Sequence, residues 1–505
     1  MKLSNILNAL IEYQDEIGDI SSFIKTADET TLNIDIKAIV NDDSKVIPGS
    51  LFVAIDGVKN DAHQYIARAR QKGAVFVIGT RPSSDKPDLI VNNSRAVLGP
   101  ACSKFLGDPS MDLSIYGITG TNGKTTTTYL LSSIFKSLSE RYCVIGTTGI
   151  FLGELKNESS QTTPDATVLQ SLFNELKSSD VKNVAMEVSS HALDQMRVLG
   201  TTFTAVAFTN LTQDHLDYHE SFEKYFEAKA LLFNGKYSKN AVINIDNSYG
   251  EKMVDIAKSN SMKVVTTSIL NKDADLYINT LNSNLSGCDL EINYKQSDAN
   301  ILKSRVKSDL IGDFNCENIA TAVGLALVGG HNFDEVVNTL GHNVKVPGRF
   351  ERVENFGKSF EVFVDYSHTP DALARAIEVL KPLSKKVIVV FGCGGDRDIA
   401  KRPIMGKLAS DMADLVVVTS DNPRSEDPQK IVNDIFVGIG QENQSHVIAE
   451  LDRYKAIEYA VSKAEDGDCV LIAGKGHETY QQFKDRTEEF SDIKVAEEIL
   501  QGSKK

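Results

Sequence analysis

The stretch Leu113–Thr126 reads LSIYGITGTNGKTT. Its first seven residues form an apolar, strand-like run that ends in a glycine-rich turn. A helical stripe follows, with Leu130, Leu131, Ile134, Phe135 and Leu138 recurring on one face. Gly117 and Gly123-Lys124-Thr125 satisfy the phosphate-loop spacing G-x-x-x-x-G-K-[ST], with a strand before it and a helix after it. In such a loop the backbone of Gly120, Thr121, Asn122 and Gly123 curls so that N–H groups face phosphate oxygens, and the start of the helix at Thr125 and Thr126 adds partial positive charge. Lys124 reaches the terminal phosphates, and the Thr125 hydroxyl serves Mg²⁺. A chance lysine after a glycine turn is the plain alternative, and the agreement of motif and context argues against it.

Working outward, the runs Val184–Val188, Ala205–Thr209 and Ala241–Ile245 read as further strands between helical segments. Alternation of this kind predicts a mostly parallel sheet with helices on its faces. Residues 275–311 lack a helical period and predict short antiparallel strands. Beyond Val346-Pro347-Gly348, five strand-like runs alternate with helical stretches near 371–380, 401–412, 428–438 and 453–464, a second doubly wound pattern. Ahead of residue 110, Leu51–Ile55 and Ala74–Ile78 belong to a small α/β unit. The expected class is α/β in three domains: 1–110, 111–345 and 346–505.

The chain has 505 residues, long enough for two to four domains at about 150 residues each. Its net charge of −15 argues against a nucleic-acid or anionic-membrane binder, which would carry a basic face. The six cysteines, at 102, 143, 288, 316, 393 and 469, form no C-x-x-C pair, so no disulfide framework or structural zinc site is expected. The N-terminal residues lack the apolar run of a signal peptide, and no stretch approaches the ~20 apolar residues of a membrane span. A cytoplasmic, multidomain protein is expected.

A phosphate loop specifies a nucleotide rather than a reaction. An ATP-consuming enzyme with a second substrate and a nucleotide switch or motor both fit it. The strand ends favour the enzyme. Glu187 closes one strand, where doubly wound sheets bind ligands and where a carboxylate could hold a metal beside the phosphates. The next strand ends in Asp214-His215-Leu216-Asp217-Tyr218-His219, two acids and two histidines within six positions. Each of these residues alone is more often structural, but together they mark a site.

GTNGKTT, EVSSHAL, NLTQDHLDYH and Lys229 within YFEAKA resemble the Mur ligases of peptidoglycan synthesis. The resemblance covers nearly the whole chain. DDSKVIPGSLFVAIDG lies in the first segment, VPGRFE at the entry to the last, and DYSHTPDAL, FGCGGDRD, DNPR and GKGHE within it. It implies a uridine-nucleotide domain, a central ATPase domain with a parallel sheet plus a small antiparallel sheet, and a Rossmann-like C-terminal domain. It also implies that a carboxylate attacks the γ-phosphate of ATP and that an amine displaces the acyl phosphate. The substrates implied are UDP-MurNAc-L-Ala-D-Glu, an amino acid and ATP, handled by a monomer without nucleic acid or membrane.

By the same resemblance, Lys124, Glu187, His215 and Lys229 are catalytic. Thr125 and Glu187 hold one Mg²⁺, and His215 and Lys229 serve a second. A cationic lysine cannot ligate a metal, and in the family the matching lysine is carbamylated by CO₂, with a tyrosine one turn before it, as Tyr225 stands here. Asn315 and Asn318 of GDFNCENIATA and Arg349 of VPGRFE serve ATP, with Asp365 and His368 near the nucleotide. Helix capping would also explain the asparagines. Asp42, Ser44, Gln161, Thr162, Thr163, Ser189, Gln195 and Arg197 match the UDP-MurNAc-dipeptide site. The chain departs from the family pattern at Lys45 (usually Arg), Ala62 (usually Gly) and Gln161 (usually Asn).

For the incoming amino acid, Asp421-Asn422-Pro423-Arg424 resembles the version that takes meso-2,6-diaminopimelate. That amino acid carries a second carboxylate, which Arg424 and Arg397 suit through charge-assisted bonds. L-Lysine ends in a bare ammonium that these arginines disfavour. Gly474 and Glu478 are placed at the distal amino group. The alternatives are the same reaction with L-lysine, or another ligase of the Mur and folylpolyglutamate synthetase superfamily.

Overall fold

The computed structural model describes residues 1–57, 61–83, 85–153, 155–157, 161–297, 300–340 and 344–502. The first sheet has four parallel strands in chain order: β1 (Ala38–Val40), β2 (Ser50–Val53), β3 (Ala74–Gly79) and β4 (Leu89–Ile90). Its buried side chains, among them Leu51 and Phe76, share one core with Ile115, Val184 and Phe208 of the following segment. Apolar burial therefore fixes the first sheet against the second.

The second sheet has eleven strands. They are β5 (Ser114–Thr119), β6 (Tyr142–Gly146), β7 (Gly149–Leu152), β8 (Leu155–Asn157), β9 (Asn183–Glu187), β10 (Ala205–Phe208), β11 (Asn240–Asn244), β12 (Lys263–Ser268), β13 (Leu276–Asn284), β14 (Gly287–Ser297) and β15 (Asn300–Ser308). Their order is β15-β14-β13-β12-β11-β10-β5-β9-β6-β7-β8. β5 pairs in parallel with β9 on one side and β10 on the other, so the chain leaves it in both directions. That switch point opens a crevice at the carboxyl ends of the strands. The strands flanking it are buried throughout, as parallel strands covered on both faces must be.

The antiparallel part differs from the expected short strands. β13, β14 and β15 have 9, 11 and 9 residues, and β13 pairs in parallel with β12 at Thr267–Leu276. The antiparallel strands thus extend the parallel sheet, and their inward residues Leu276, Ile278, Leu290 and Ile292 cover the helix Asp313–Val328. The polar residues between them face outward, which is why the segment reads as polar-rich.

The last main sheet contains β16 (Glu351–Arg352), β17 (Glu361–Asp365), β18 (Val387–Phe391), β19 (Leu415–Val418), β20 (Val447–Ala449) and β21 (Cys469–Ala473), ordered β16-β17-β21-β18-β19-β20. All pairs are parallel except β16–β17. The intervening helices are Pro370–Leu380, Lys401–Met412, Pro428–Phe436 and Arg453–Lys463. Loops at the carboxyl ends of β17, β18, β19 and β21 line the same cleft as the phosphate loop.

Candidate active site

β5 delivers the phosphate loop to the crevice, and the helix Lys124–Ser137 starts there. Gly123 caps that helix with φ +87°, a left-handed conformation that a Cβ would strain while also striking the Asn318 amide. The loop is tied to the end of β10. Thr121 N–H donates to Asn210 O at 2.9 Å, Asn122 N–H to Asn210 Oδ1 at 3.0 Å, and the Thr209 hydroxyl to Asn122 O at 2.6 Å. Asn210, the first residue of NLTQDHLDYH, therefore shapes the loop.

Glu187 ends β9 fully buried. Its carboxylate accepts from the Thr125 hydroxyl at 2.9 Å, from the Thr147 N–H at 2.9 Å and from the Thr147 hydroxyl at 3.1 Å. Thr147, in the turn after β6, is a residue missed from the sequence, because a Thr-Thr turn carries no distinguishing spacing.

Lys229 sits on the helix Phe222–Ala230 and is 1% exposed, which rules out a surface lysine. Its Nζ donates to Gly120 O at 2.8 Å and lies 4.3 Å from the centre of the Tyr225 ring. Burial holds its pKa well below 10.5, and the neighbouring cation Lys124 adds to the shift. Lys124 itself donates to the carbonyls of Gly120 and Thr121 at 2.9 and 2.8 Å, and burial lowers its pKa too. His215 has φ +53° and an imidazole 4.8 Å from that of His191. Desolvation pulls its pKa down to about 4 against the opposing charge of Asp214, with His191, Lys124 and Lys229 contributing. The lowered pKa favours the neutral imidazole, whose Nε2 lies 3.5 Å from the Asp214 carboxylate.

These groups line a cavity of about 260 Å³, with Thr121–Thr126, Thr162, Ser189, Asn315, Asn318, Arg349, Asp365 and His368 around it. Asn315 and Asn318 are buried and linked side chain to side chain at 3.4 Å. Arg349 stacks on Tyr366 at 4.6 Å and reaches the Thr125 hydroxyl at 3.4 Å. Asp365 accepts from the Phe350 N–H at 2.7 Å, which fixes the junction with the last sheet. His368 bonds Tyr366 O through Nδ1 at 2.8 Å, and burial together with Lys401 lowers its pKa.

A second cavity of about 1140 Å³ adjoins the first, and Thr147, Asp214, His215, Tyr366, His368 and Thr369 line both. Arg397, Asp421, Asn422, Arg424, Gly474 and Glu478 line the second. Asn422 Nδ2 donates to Glu478 at 2.7 Å, and the fully buried Lys475 bonds both residues at 3.2 Å. Lys475 stands inside the GKGHE motif, and its burial is a tertiary property that the motif does not reveal.

Not every expected residue reaches a cavity. Arg197 gathers Gln161, Thr163 and Gln195 by bonds of 2.7–2.9 Å, and none of the four lines either cavity, whereas Thr162 and Ser189 line the first. The Thr163 hydroxyl in turn donates to Glu187 O at 2.9 Å. Asp42 and Ser44 line neither cavity; Asp42 caps the turn Asp43–Lys45 by accepting from the Ser44 N–H at 2.8 Å. Gly117, Gly120 and Pro423 likewise line neither cavity.

Residues 118–326 match the Mur ligase middle domain, and residues 348–476 match the Mur ligase, glutamate ligase domain. A protein of Aquifex aeolicus (strain VF5) named UDP-N-acetylmuramoyl-L-alanyl-D-glutamate--2,6-diaminopimelate ligase is 44% identical over 469 residues, covering 92% of this chain and 94% of its own. One of the same name from Clostridium botulinum is 39% identical over 474 residues, covering 92% and 95%. A solved structure bearing that name aligns with TM-score 0.70 at 33% identity, over 92% of this chain and 95% of its own. A MurF ligase from Thermotoga maritima in complex with ADP shares the fold, with TM-score 0.60 at 19% identity over 92% and 97%. By sequence along its length, with three main sheets in the matching order, this chain belongs to the Mur ligase family.

Proposed function

We propose that this chain is an ATP-dependent ligase that joins the D-glutamate carboxylate of UDP-MurNAc-L-Ala-D-Glu to an amino group of meso-2,6-diaminopimelate. The observation that carries the reading is the shared wall. A phosphate-loop cavity and a cavity lined by Arg397, Arg424 and Glu478 meet at Asp214, His215 and His368. A carboxyl group at that wall can be phosphorylated from one side and attacked by an amine from the other.

A carboxylate is a poor acyl donor. Its oxygen attacks the γ-phosphorus of ATP, the bond to ADP breaks, and an acyl phosphate forms. The amine then adds to the acyl carbon, phosphate leaves, and a proton departs from nitrogen. Both steps place charge on phosphoryl oxygens, so nearby cations supply most of the stabilisation. Lys124, the loop N–H groups and Arg349 take that role. Mg²⁺, when bound, supplies further positive charge at the phosphates. The donors fit it: the Thr125 hydroxyl and Glu187 carboxylate lie 2.9 Å apart, and His215 is neutral. Lys229 joins them as a carbamate. Its lowered pKa favours the neutral amine, which can add to CO₂ and release a proton to leave an anionic oxygen. Asn315 and Asn318 serve the nucleotide, with Asp365 and His368 at the junction.

Asp42, Ser44, Gln161, Thr162, Thr163, Ser189, Gln195 and Arg197 are assigned to the UDP-linked dipeptide. Arg397, Arg424, Asp421, Asn422, Pro423, Gly474 and Glu478 are assigned to diaminopimelate, with the arginines on its distal carboxylate. The division at residues 110 and 345 belongs to this reading, since each main sheet lies within one segment. So does a monomer acting in the cytoplasm; among the described residues no helix is long and apolar enough to cross a membrane. The test is ADP release with ATP and each combination of dipeptide, diaminopimelate and L-lysine, and identification of the product by mass. Release that needs both the dipeptide and diaminopimelate is expected; equal release with ATP alone overturns the reading.

A further inference from the structure

Arg424 and Arg397 stand on two different loops, one after β19 and one after β18. A carboxylate held by both needs the two loops at a fixed separation. Arg424 supplies one tie between them, and the backbone supplies another where the Gly395 N–H donates to Asn422 O at 2.9 Å. Arg397 is exposed and donates to its neighbour Asp396 O at 3.2 Å, while Arg424 donates across the loops to Gly395 O at 2.8 Å.

The buried group that adds to these ties is Arg402, at the start of the helix Lys401–Met412 and 0% exposed. Its Nη1 donates to Glu426 Oε2 at 3.0 Å and to Asp434 Oδ2 at 2.9 Å. Its Nη2 donates to Glu426 Oε1 at 2.8 Å and to Gly394 O at 3.3 Å. All four terminal hydrogens are thus used, two of them in a bidentate pair with Glu426. Glu426 also accepts from the Asp396 N–H at 2.6 Å, one residue before Arg397 and two after Arg424. The Ser425 hydroxyl donates to Asp396 Oδ1 at 2.6 Å, a further link between the same loops. Gly395 allows the approach, because a Cβ there would strike Pro423 O. The Arg402 guanidinium and the Asp396 N–H hold the Glu426 carboxyl down at about 2, so the link stays charged across the working pH range.

We infer that Arg402 and Glu426 are positioning residues for diaminopimelate recognition, clamping the loops of Arg397 and Arg424 at the spacing the distal carboxylate requires. Neither residue lines either cavity. The inference rests on the diaminopimelate reading above.

A buried arginine with two acidic partners also supports the fold, so the readout must separate the two roles. Glu426→Gln is the milder variant and keeps the side-chain shape; Arg402→Met is the severe one. Steady-state kinetics on Glu426→Gln should show the KM for diaminopimelate rising about tenfold, the size of one weakened charged hydrogen bond. The KM values for ATP and for the UDP-dipeptide should stay within about twofold, since those sites rest on other loops. The deciding measurement is a double-mutant cycle with Arg424→Ala. If Glu426 acts through the arginines, adding Glu426→Gln to Arg424→Ala costs little more. Fully additive losses, or an equal rise in all three KM values, overturn the inference while leaving the function intact. A wild type that does not consume diaminopimelate overturns the function, and the inference falls with it.

Discussion

Lys229 Nζ lies 2.8 Å from the carbonyl oxygen of Gly120, a hydrogen bond across 109 residues in the protein interior. It joins the helix Phe222–Ala230 to the phosphate loop and sets a depressed-pKa amine beside Lys124. An isolated ammonium at such depth is costly unless compensated, and one carbonyl and one ring face are modest compensation. The position suits an amine that is neutral and reactive better than a structural cation.

Lys229→Ala should therefore abolish most ligase activity with little change in melting temperature. Added bicarbonate should not restore it, because alanine has no amine to add to CO₂. ADP release and thermal unfolding of the same preparation check this; full activity would return Lys229 to a structural role.

Thr147 carries two of the three side-chain and backbone bonds to the Glu187 carboxylate. Thr147→Val keeps the N–H bond and removes the hydroxyl. A hydrogen bond to a charged group is worth about 1.5–3 kcal/mol, so kcat should fall roughly tenfold or more. Glu187→Gln should cost more, since it removes the charge itself. Initial rates at saturating ATP and Mg²⁺ measure both, and an unchanged Thr147→Val rate would show that the hydroxyl contributes nothing to the site.

Arg424 is the residue on which amino-acid choice turns. Arg424→Ala should raise the KM for diaminopimelate by roughly 10- to 150-fold, the equivalent of one lost charged hydrogen bond. The KM for ATP should barely move. Rates against amino-acid concentration, for diaminopimelate and for L-lysine, decide the matter. A wild type that turns over L-lysine faster would sink the diaminopimelate assignment and leave the family membership standing.

Glu317, on the helix Asp313–Val328, has its carboxyl pushed up to about 7 by burial, with Asp246 and Asp313 adding to the shift and Arg375 opposing it. The folded state thus holds a proton that the unfolded chain releases near 4.5. Between those values the folded state binds more protons, so stability falls as pH rises through the window and stays lower above it. The slope is at most about 1.4 kcal/mol per pH unit. Glu317→Gln should remove it, and should melt higher than wild type at pH 8 but not at pH 5. Parallel melting curves at the two pH values test the sign.

The sequence by itself determined the phosphate loop, the α/β alternation and the family motifs, because these are local. Gly123-Lys124-Thr125 needs only a strand before it and a helix after it, and the structure has β5 and the helix Lys124–Ser137 in those places. Strand limits lie within a residue or two of the sequence reading for β9, β10 and β11, since a buried parallel strand is a short unbroken apolar run. The tertiary structure alone decided what meets what. Thr147 and Asn210 look like ordinary turn residues until β6, β9 and β10 bring them against Glu187 and the phosphate loop. Nothing local marks Arg402 or Lys475 as buried cations, for burial depends on which loops close over them. The antiparallel strands read as a separate sheet because the β12–β13 pairing is a register between distant backbones, which no side-chain period encodes. Local chemistry is written in spacing; geometry at a site is fixed by the packing of segments far apart in the chain.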